Sequence, residues 1–140
     1  MKSIGKIIGI AVLAVSVLAV ALPAMAKKKK DGGDAIPRFT EQTFDFGMIK
    51  EKGGAVSHEF DFVNVGNGNL VIIEATAECG CTRPEYPKNP IAPGKKGKIK
   101  VTYNPIGRPG AFDKVVTVKT NGKPKKVRLK IRGTVVPDKR

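Results

Sequence analysis

The 140-residue sequence has no tryptophan, one histidine and two cysteines, and these scarcities limit both its core and the sites it can form. A core without tryptophan must rest on phenylalanine and aliphatic side chains. One histidine and two cysteines are too few for a closed zinc site, which takes four ligands. No Ser/His/Asp or paired-carboxylate arrangement is visible, since the acidic residues are scattered singly along strand-like segments. These scattered carboxylates, expected on solvent-facing sides, are Asp45, Glu59, Asp61 and Glu74.

A helical period is also missing from Arg38 onward, and no repeat of solenoid length appears. Apolar and polar residues alternate instead, between turns rich in the 16 glycines and 10 prolines. This pattern predicts an all-β fold, an immunoglobulin-like antiparallel β-sandwich of about seven strands spanning residues 38–136. The residues predicted to share its interior are Phe60, Phe62, Ile72, Val101, Tyr103 and Leu129.

Local patterns predict how the strands are joined. Asn67-Gly68 and Asn121-Gly122 are typical of hairpin turns. The nearly continuous apolar run of residues 70–77 predicts a strand buried on both faces for part of its length. Prolines recur every third residue from Pro84 to Pro93, which favours an extended, polyproline-like loop without ladder hydrogen bonds.

The first 26 residues are typical of a cleaved secretory signal peptide. Lys2 and Lys6 give a positive start, residues 7–22 are apolar, Pro23 breaks the helix, and Ala24-Met25-Ala26 offers a cleavage site. We therefore predict a signal peptide at 1–26, a basic flexible tail at 27–37, and export to the periplasm or beyond. No integral membrane span is expected after cleavage.

An alternative to cleavage stays open. Four lysines, Lys27 to Lys30, follow the apolar segment directly and compete with Lys2 and Lys6 for the cytoplasmic side. The apolar stretch is also long enough to cross a bilayer. The alternative is therefore a protein anchored in the membrane by an uncleaved N-terminal segment.

The two cysteines, Cys79 and Cys81, flank Gly80 at the end of the most apolar strand-like run. Residues i and i+2 of an extended segment point the same way, so both sulfurs face one side. Three chemistries fit: a strained, reactive disulfide, a soft-metal site for Cu(I) or Zn(II), or a structural pair. His58 is the one imidazole that could assist a metal, but its apolar-face position favours a core or rim residue.

The chain is strongly basic, with a formal net charge of +14. Loss of Lys2 and Lys6 with the signal peptide leaves 24 of the 26 basic residues against 12 acidic ones. The excess either solubilises the surface and protects strand edges or attracts an anionic envelope surface. Nucleic acid is not expected, because no aromatic stacking platform accompanies the charge. Strict alternation places a positive stripe on the last strand: Lys126, Arg128, Lys130 and Arg132.

Several short motifs occur in a recognisable order. They are Phe44-Asp45-Phe46-Gly47, Phe60-x-Phe62-x-Asn64-x-Gly66, Leu70-Val71-Ile72, Cys79-Gly80-Cys81-Thr82, Pro93-Gly94, Val101-x-Tyr103-Asn104-Pro105, Gly110-x-Phe112 and Thr120-Asn121-Gly122. In this order they resemble the bacterial family called "domain of unknown function 1573", over about residues 39–136. That family is similar to the immunoglobulin-like domains of the Hydin and major sperm protein group.

The resemblance implies an exported immunoglobulin-like domain and no transferable activity, catalytic residue or cofactor. It marks Cys79 and Cys81 only as a family signature. We therefore expect a non-enzymatic binding or scaffolding module of the cell envelope, whose partner is an envelope protein or an anionic surface. The alternative is a small thiol-redox or soft-metal-binding protein that acts through Cys79 and Cys81.

Overall fold

The computed structural model describes residues 33–139, so the predicted signal peptide and the Lys27–Lys30 run lie outside the described residues. Every regular element in the described part is a strand. The eight strands are β1 (Pro37–Phe39), β2 (Thr43–Lys50), β3 (Val56–Asn64), β4 (Ile72–Ala77), β5 (Thr82–Glu85), β6 (Lys96–Tyr103), β7 (Gly110–Thr120) and β8 (Lys126–Val136).

The strands form two four-stranded sheets. The first sheet has the order β1-β3-β6-β5 and the second has the order β2-β8-β7-β4. All neighbours are antiparallel except β2 and β8, which run parallel. This is an immunoglobulin-like sandwich, as predicted. The alternation did not separate β1 from β2, which lie in different sheets although only three residues divide them.

The interior lies between the two sheets and includes the residues that alternation placed there. The ring of Tyr103 stacks on that of Phe112, with 4.0 Å between centroids. Buried side chains such as these supply the main favourable term in folding. The prediction of the core is confirmed, since the exposed fractions are 0 % for Phe60, Phe62, Val101 and Leu129, 1 % for Tyr103 and 4 % for Ile72.

One predicted hairpin is present and the other is not. Asn121-Gly122 lies in the connection between the antiparallel strands β7 and β8. Asn67-Gly68 instead carries the chain from β3 in the first sheet to β4 in the second. The reason is Asn64, a fully buried side chain whose amide donates to the carbonyls of Gly68 (2.8 Å) and Ile91 (2.9 Å). These bonds direct the loop across the sandwich, so the hairpin prediction at Asn67 is wrong.

The expectation of a doubly buried strand at residues 70–77 is also wrong. β4 is an edge strand of the second sheet, and one of its faces is open to solvent. The ladder to β7 is irregular between Ile72 and Glu74, and this turns the side chain of Ile73 outward with 53 % exposed. An apolar run alone does not distinguish an edge strand with a bulge from a central one.

The proline-rich segment contains a short strand that the sequence did not predict. β5 pairs with β6, and Pro84 lies opposite Val101. Proline cannot donate to a ladder but is tolerated on an edge strand, which β5 is. At the other end of the chain, Ala35 is buried and its carbonyl accepts from the amide of Lys123 (2.9 Å). The folded unit therefore extends to the N-terminal side of the boundary expected at residue 38.

Candidate functional site

The cysteine pair lies where the chain crosses from one sheet to the other. β4 ends at Ala77 on the edge of the second sheet, and β5 begins at Thr82 on the edge of the first. Cys79 and Cys81 form a disulfide bond across this corner, with 5.3 Å between their Cα atoms. Within residues 33–139, no cluster of three or more His, Cys, Asp or Glu side chains could hold a metal ion.

The two sulfurs of this corner have different surroundings. Cys81 is 4 % exposed and belongs to the core, whereas Cys79 is half-buried at its margin. The backbone N–H of Cys81 donates to Sγ of Cys79 (3.3 Å), and Sγ of Cys81 lies 3.5 Å from Oγ1 of Thr82. A Cβ atom added to Gly80 would meet nothing within 4 Å, so the space beside the pair is open.

Tyr103 lies behind the corner, opposite Thr82 on β6. Burial raises the pKa of Tyr103 above its ordinary value of 10.0, and the positive charge of Arg108 opposes this shift. Desolvation disfavours a phenolate, so the hydroxyl of Tyr103 stays protonated at neutral pH. It is therefore no candidate for a general base beside the cysteines.

His58 has partners of its own. Its ring stacks on Phe44 with 3.6 Å between centroids, and Nε2 is hydrogen-bonded to Oε1 of Glu41. These contacts join β3 of the first sheet to β2, an edge strand of the second sheet, and to the segment that precedes β2. His58 is thus a partly buried residue at the sandwich rim, with its nitrogen engaged by a carboxylate.

The predicted positive stripe lies on the outer face of the second sheet, where β8 is a central strand. Two of its four members are neutralised by acidic neighbours on adjoining strands. Lys130 forms an ion pair with Asp113 (3.6 Å), and Arg132 forms one with Asp45 (3.2 Å). The stripe therefore divides into a neutralised half and a half that stays positive.

The positive half lies toward the β7–β8 connection. Lys126 lies directly opposite Lys119, and Arg128 lies opposite Thr117. No acidic side chain of residues 33–139 approaches the ammonium groups of Lys119 and Lys126 within 4.0 Å, although Glu74 lies opposite Lys119 on β4. Like charges directly opposite each other destabilise a sheet. We call Lys119, Lys126 and Arg128, all exposed, the basic hairpin end.

Sequence reasoning missed Lys119 as part of this group. It lies on the outer face of β7, and only the register of β7 against β8 brings it opposite Lys126. The turn sequence Thr120-Asn121-Gly122 fixes that register: the hydroxyl of Thr120 accepts from the N–H of Gly122 (3.0 Å), and the N–H of Thr120 donates to the carbonyl of Lys125 (2.7 Å). Thr120-Asn121-Gly122 thus has a structural role, which is to hold the register that places Lys119 opposite Lys126.

The outer face of the first sheet is also lysine-rich, but carboxylates lie among its central lysines. Lys98 forms an ion pair with Glu59 (3.1 Å) and lies opposite Asp61. The hydrogen bond from Lys98 to Glu59, with the charges of Glu59 and Asp61, raises the pKa of Lys98. Lys100 lies between Glu59 and Glu85 on its two neighbouring strands. Positive and negative side chains therefore alternate across the centre of this face.

A shallow depression of about 510 Å³ lies on the outer face of the second sheet, beside the irregularity in β2. Gly47 has φ of +68° there, and a Cβ atom on Gly133 would come within 2.8 Å of its carbonyl oxygen. The charged groups that line the depression include Asp45 and Arg132, which neutralise each other. It shows no unpaired charge that would select a ligand.

Comparison with known proteins identifies the family. The family model described as "Protein of unknown function (DUF1573)" matches residues 37–135, so the chain belongs to that family. A search of curated protein sequences found no match. In residues 33–139, no helix is long and apolar enough to span a bilayer.

Solved structures share the fold at low sequence identity. A protein of unknown function from Porphyromonas gingivalis W83 has a TM-score of 0.62 and 15% identity, covering 71% of this chain and 46% of that one. The ASH/PapD-like domain of human CEP192 has a TM-score of 0.55 and 12% identity, covering 76% and 89%. The Vibrio cholerae VesB protease has a TM-score of 0.54 and 14% identity, covering 74% and 32%.

These similarities show the fold alone. This chain spans less than half the length of the Porphyromonas protein and about a third of the protease. The protease activity of VesB therefore does not come to this chain with the shared domain.

Proposed function

We propose that this member of the DUF1573 family is an exported, non-enzymatic binding module that docks on an anionic surface of the cell envelope. The observation that carries the proposal is the basic hairpin end, three exposed cations on one side of a rigid sheet. An immunoglobulin-like sandwich is suited to this role because it holds surface side chains in fixed positions.

The energetics of the hairpin end support an anionic partner. Lys119 and Lys126 repel each other in the free protein, and a bound anion would relieve that repulsion. Lys130 and Arg132, further along the same strand, already have carboxylate partners. Contact with phosphates or carboxylates of an envelope surface is thus directed to one end of the sheet, which gives the docked domain a defined orientation.

Co-sedimentation tests the proposal. The protein is mixed with vesicles of anionic or neutral phospholipid, and separately with purified cell wall, at about 0.1 M and about 1 M salt, where the Debye length falls from about 10 Å to about 3 Å. We expect binding to anionic vesicles or to cell wall at low salt, and its loss at high salt. The vesicle and cell-wall arms distinguish lipid head groups from wall polymer.

Two double variants with the same loss of charge localise the interaction. Lys119→Gln with Lys126→Gln removes the opposed pair, whereas Lys98→Gln with Lys100→Gln removes two cations of the first sheet that lie opposite carboxylates. We expect the first variant to lose most of the binding and the second to retain it. Equal binding by both variants, or binding that salt does not change, would contradict the proposed surface. Binding only to an envelope protein would replace it with a protein interface.

A further inference from the structure

We propose that the Cys79–Cys81 bond exchanges with dithiols of other exported proteins, with Cys79 as the sulfur that is attacked and Cys81 as the leaving thiolate. This activity goes beyond the proposed docking function and lies at a different place, on the β4–β5 edge of the sandwich. Three features of the corner carry the inference: access, hydrogen bonding and ring size.

Access distinguishes the two sulfurs. An attacking thiolate must reach one sulfur from the side opposite the other, because the bond that breaks lies along that line. Cys81 is 4 % exposed and packs in the core, so its far side is occupied by protein. Cys79 is half-buried, and the space beside Gly80 is open. Attack is therefore directed to Cys79.

Hydrogen bonds accommodate the charges that exchange produces. Attack on Cys79 leaves a thiolate on Cys81, whose sulfur lies 3.5 Å from the hydroxyl of Thr82. When Cys79 later leaves as a thiolate, its sulfur can accept from the N–H of Cys81, 3.3 Å away in the disulfide form. Donors placed at both sulfurs lower the cost of each charged state in this half-buried corner.

The small size of the ring also favours exchange. One residue separates the cysteines, so the ring constrains little chain entropy and the bond contributes little to stability.

The exchange takes place in two steps, in which one dithiol is oxidised and the Cys79–Cys81 bond is reduced. A thiolate of the dithiol attacks Sγ of Cys79, a mixed disulfide forms, the Cys79–Cys81 bond breaks, and its electron pair goes to Cys81. The second thiolate of the dithiol then attacks the first sulfur of the same dithiol, which is bonded to Cys79 in the mixed disulfide. That bond breaks, and Cys79 leaves with its electron pair. The dithiol is oxidised to a disulfide, Cys79 and Cys81 are reduced to two thiols, and the protons pass from one pair to the other.

Single-cysteine variants test the assignment. Cys81→Ser leaves Cys79 alone, and Cys79→Ser leaves Cys81 alone. Each is reacted with the chromogenic disulfide 5,5′-dithiobis(2-nitrobenzoate), in the folded state and in denaturant. We expect the thiol of Cys79 to react at least about tenfold faster than that of Cys81 in the folded protein, because reactivity follows exposure and thiolate character. In denaturant the rates should be nearly equal. Equal folded rates, or a faster Cys81, would overturn the assignment.

The unmodified protein gives a second measurement that does not depend on how the variants fold. The oxidised protein is treated with reduced glutathione under native conditions, and free thiols are capped with iodoacetamide. Peptide mass spectrometry should find glutathione on Cys79 and the cap on Cys81. Full reduction by dithiothreitol should leave the circular dichroism spectrum unchanged. A bond that resists dithiothreitol until the protein unfolds is an inert bridge, and the proposal then fails.

Discussion

At the residue scale, the fold depends on a few buried side chains rather than on the cysteine pair. Phe60 and Phe62 are fully enclosed between the sheets. Asn64, equally buried, accepts from the N–H groups of Ile36 (3.2 Å) and Gly66 (3.0 Å) in addition to donating to two carbonyls. All the hydrogen-bonding capacity of its amide is thus used to join the N-terminal segment, β3 and the loop that crosses the sandwich.

A comparison of two variants checks this ranking. Phe60→Ala should lower the free energy of unfolding by about 3–5 kcal/mol, because it leaves a cavity in a closely packed core. Cys79→Ser with Cys81→Ser should cost much less, since a ring closed over one residue contributes little entropy. Urea unfolding followed by circular dichroism measures both. Equal losses for the two variants would show that the corner holds the fold together.

The sequence predicted which residues face the core but not how buried polar groups are satisfied. Alternation is a local property with a period of two, so it placed Phe60, Phe62 and Leu129 correctly. The partners of Asn64 lie in segments up to 28 positions away along the chain, and nothing in its own neighbourhood indicates them. The cysteines were singled out by composition, whereas the contrast between a buried Cys81 and a half-buried Cys79 came only from the corner they occupy.

At the scale of elements, the register between strands decides what a strand's outer face can do. The sequence predicted four cations on one side of β8, and they are there. It could not predict that Asp45 and Asp113 neutralise two of them, because β2 is distant in the chain and the place of Asp113 depends on the exact register of β7 against β8. The turn at Asn67-Gly68 was misjudged for a similar reason, since sheet membership is a property of the whole sandwich.

The opposed lysines give a prediction in which stability and binding change in opposite directions. Lys126→Glu converts a repulsive pair with Lys119 into an attractive one, so the domain should gain about 0.2–1 kcal/mol of unfolding free energy. The same variant should bind anionic vesicles more weakly. Lys98→Glu is the control, because it breaks an ion pair with Glu59 and should lose stability instead. A Lys126→Glu protein that is less stable than the parent would contradict the register argument.

At the scale of the whole molecule, the first 26 residues are predicted to direct export of the sandwich that follows them. We predict cleavage after Ala26, because small residues at Ala24 and Ala26 follow the helix-breaking Pro23. N-terminal sequencing of the protein from its native compartment should begin at Lys27. A mature protein that begins at Met1, protected from added protease inside spheroplasts, would contradict both cleavage and export and would place the domain in the cytoplasm.

The charge distribution of the whole domain is uneven in a way that composition alone does not show. Lys98 of the first sheet and the far half of β8 form ion pairs with carboxylates, whereas the three cations of the basic hairpin end form none with residues 33–139. A net charge spread evenly over the surface would attract anions without orientation. The observed arrangement instead predicts that the domain meets an anionic surface with one face of the second sheet.

The most direct test is to map the bound surface by nuclear magnetic resonance. The 15N-labelled protein is titrated with small discs of anionic lipid, and the change in each amide signal is followed at low and at high salt. The largest changes should fall at residues 117–128, around Lys119, Lys126 and Arg128, and should disappear at high salt. Changes centred on Lys98 and Lys100, or spread evenly over both sheets, would contradict the account.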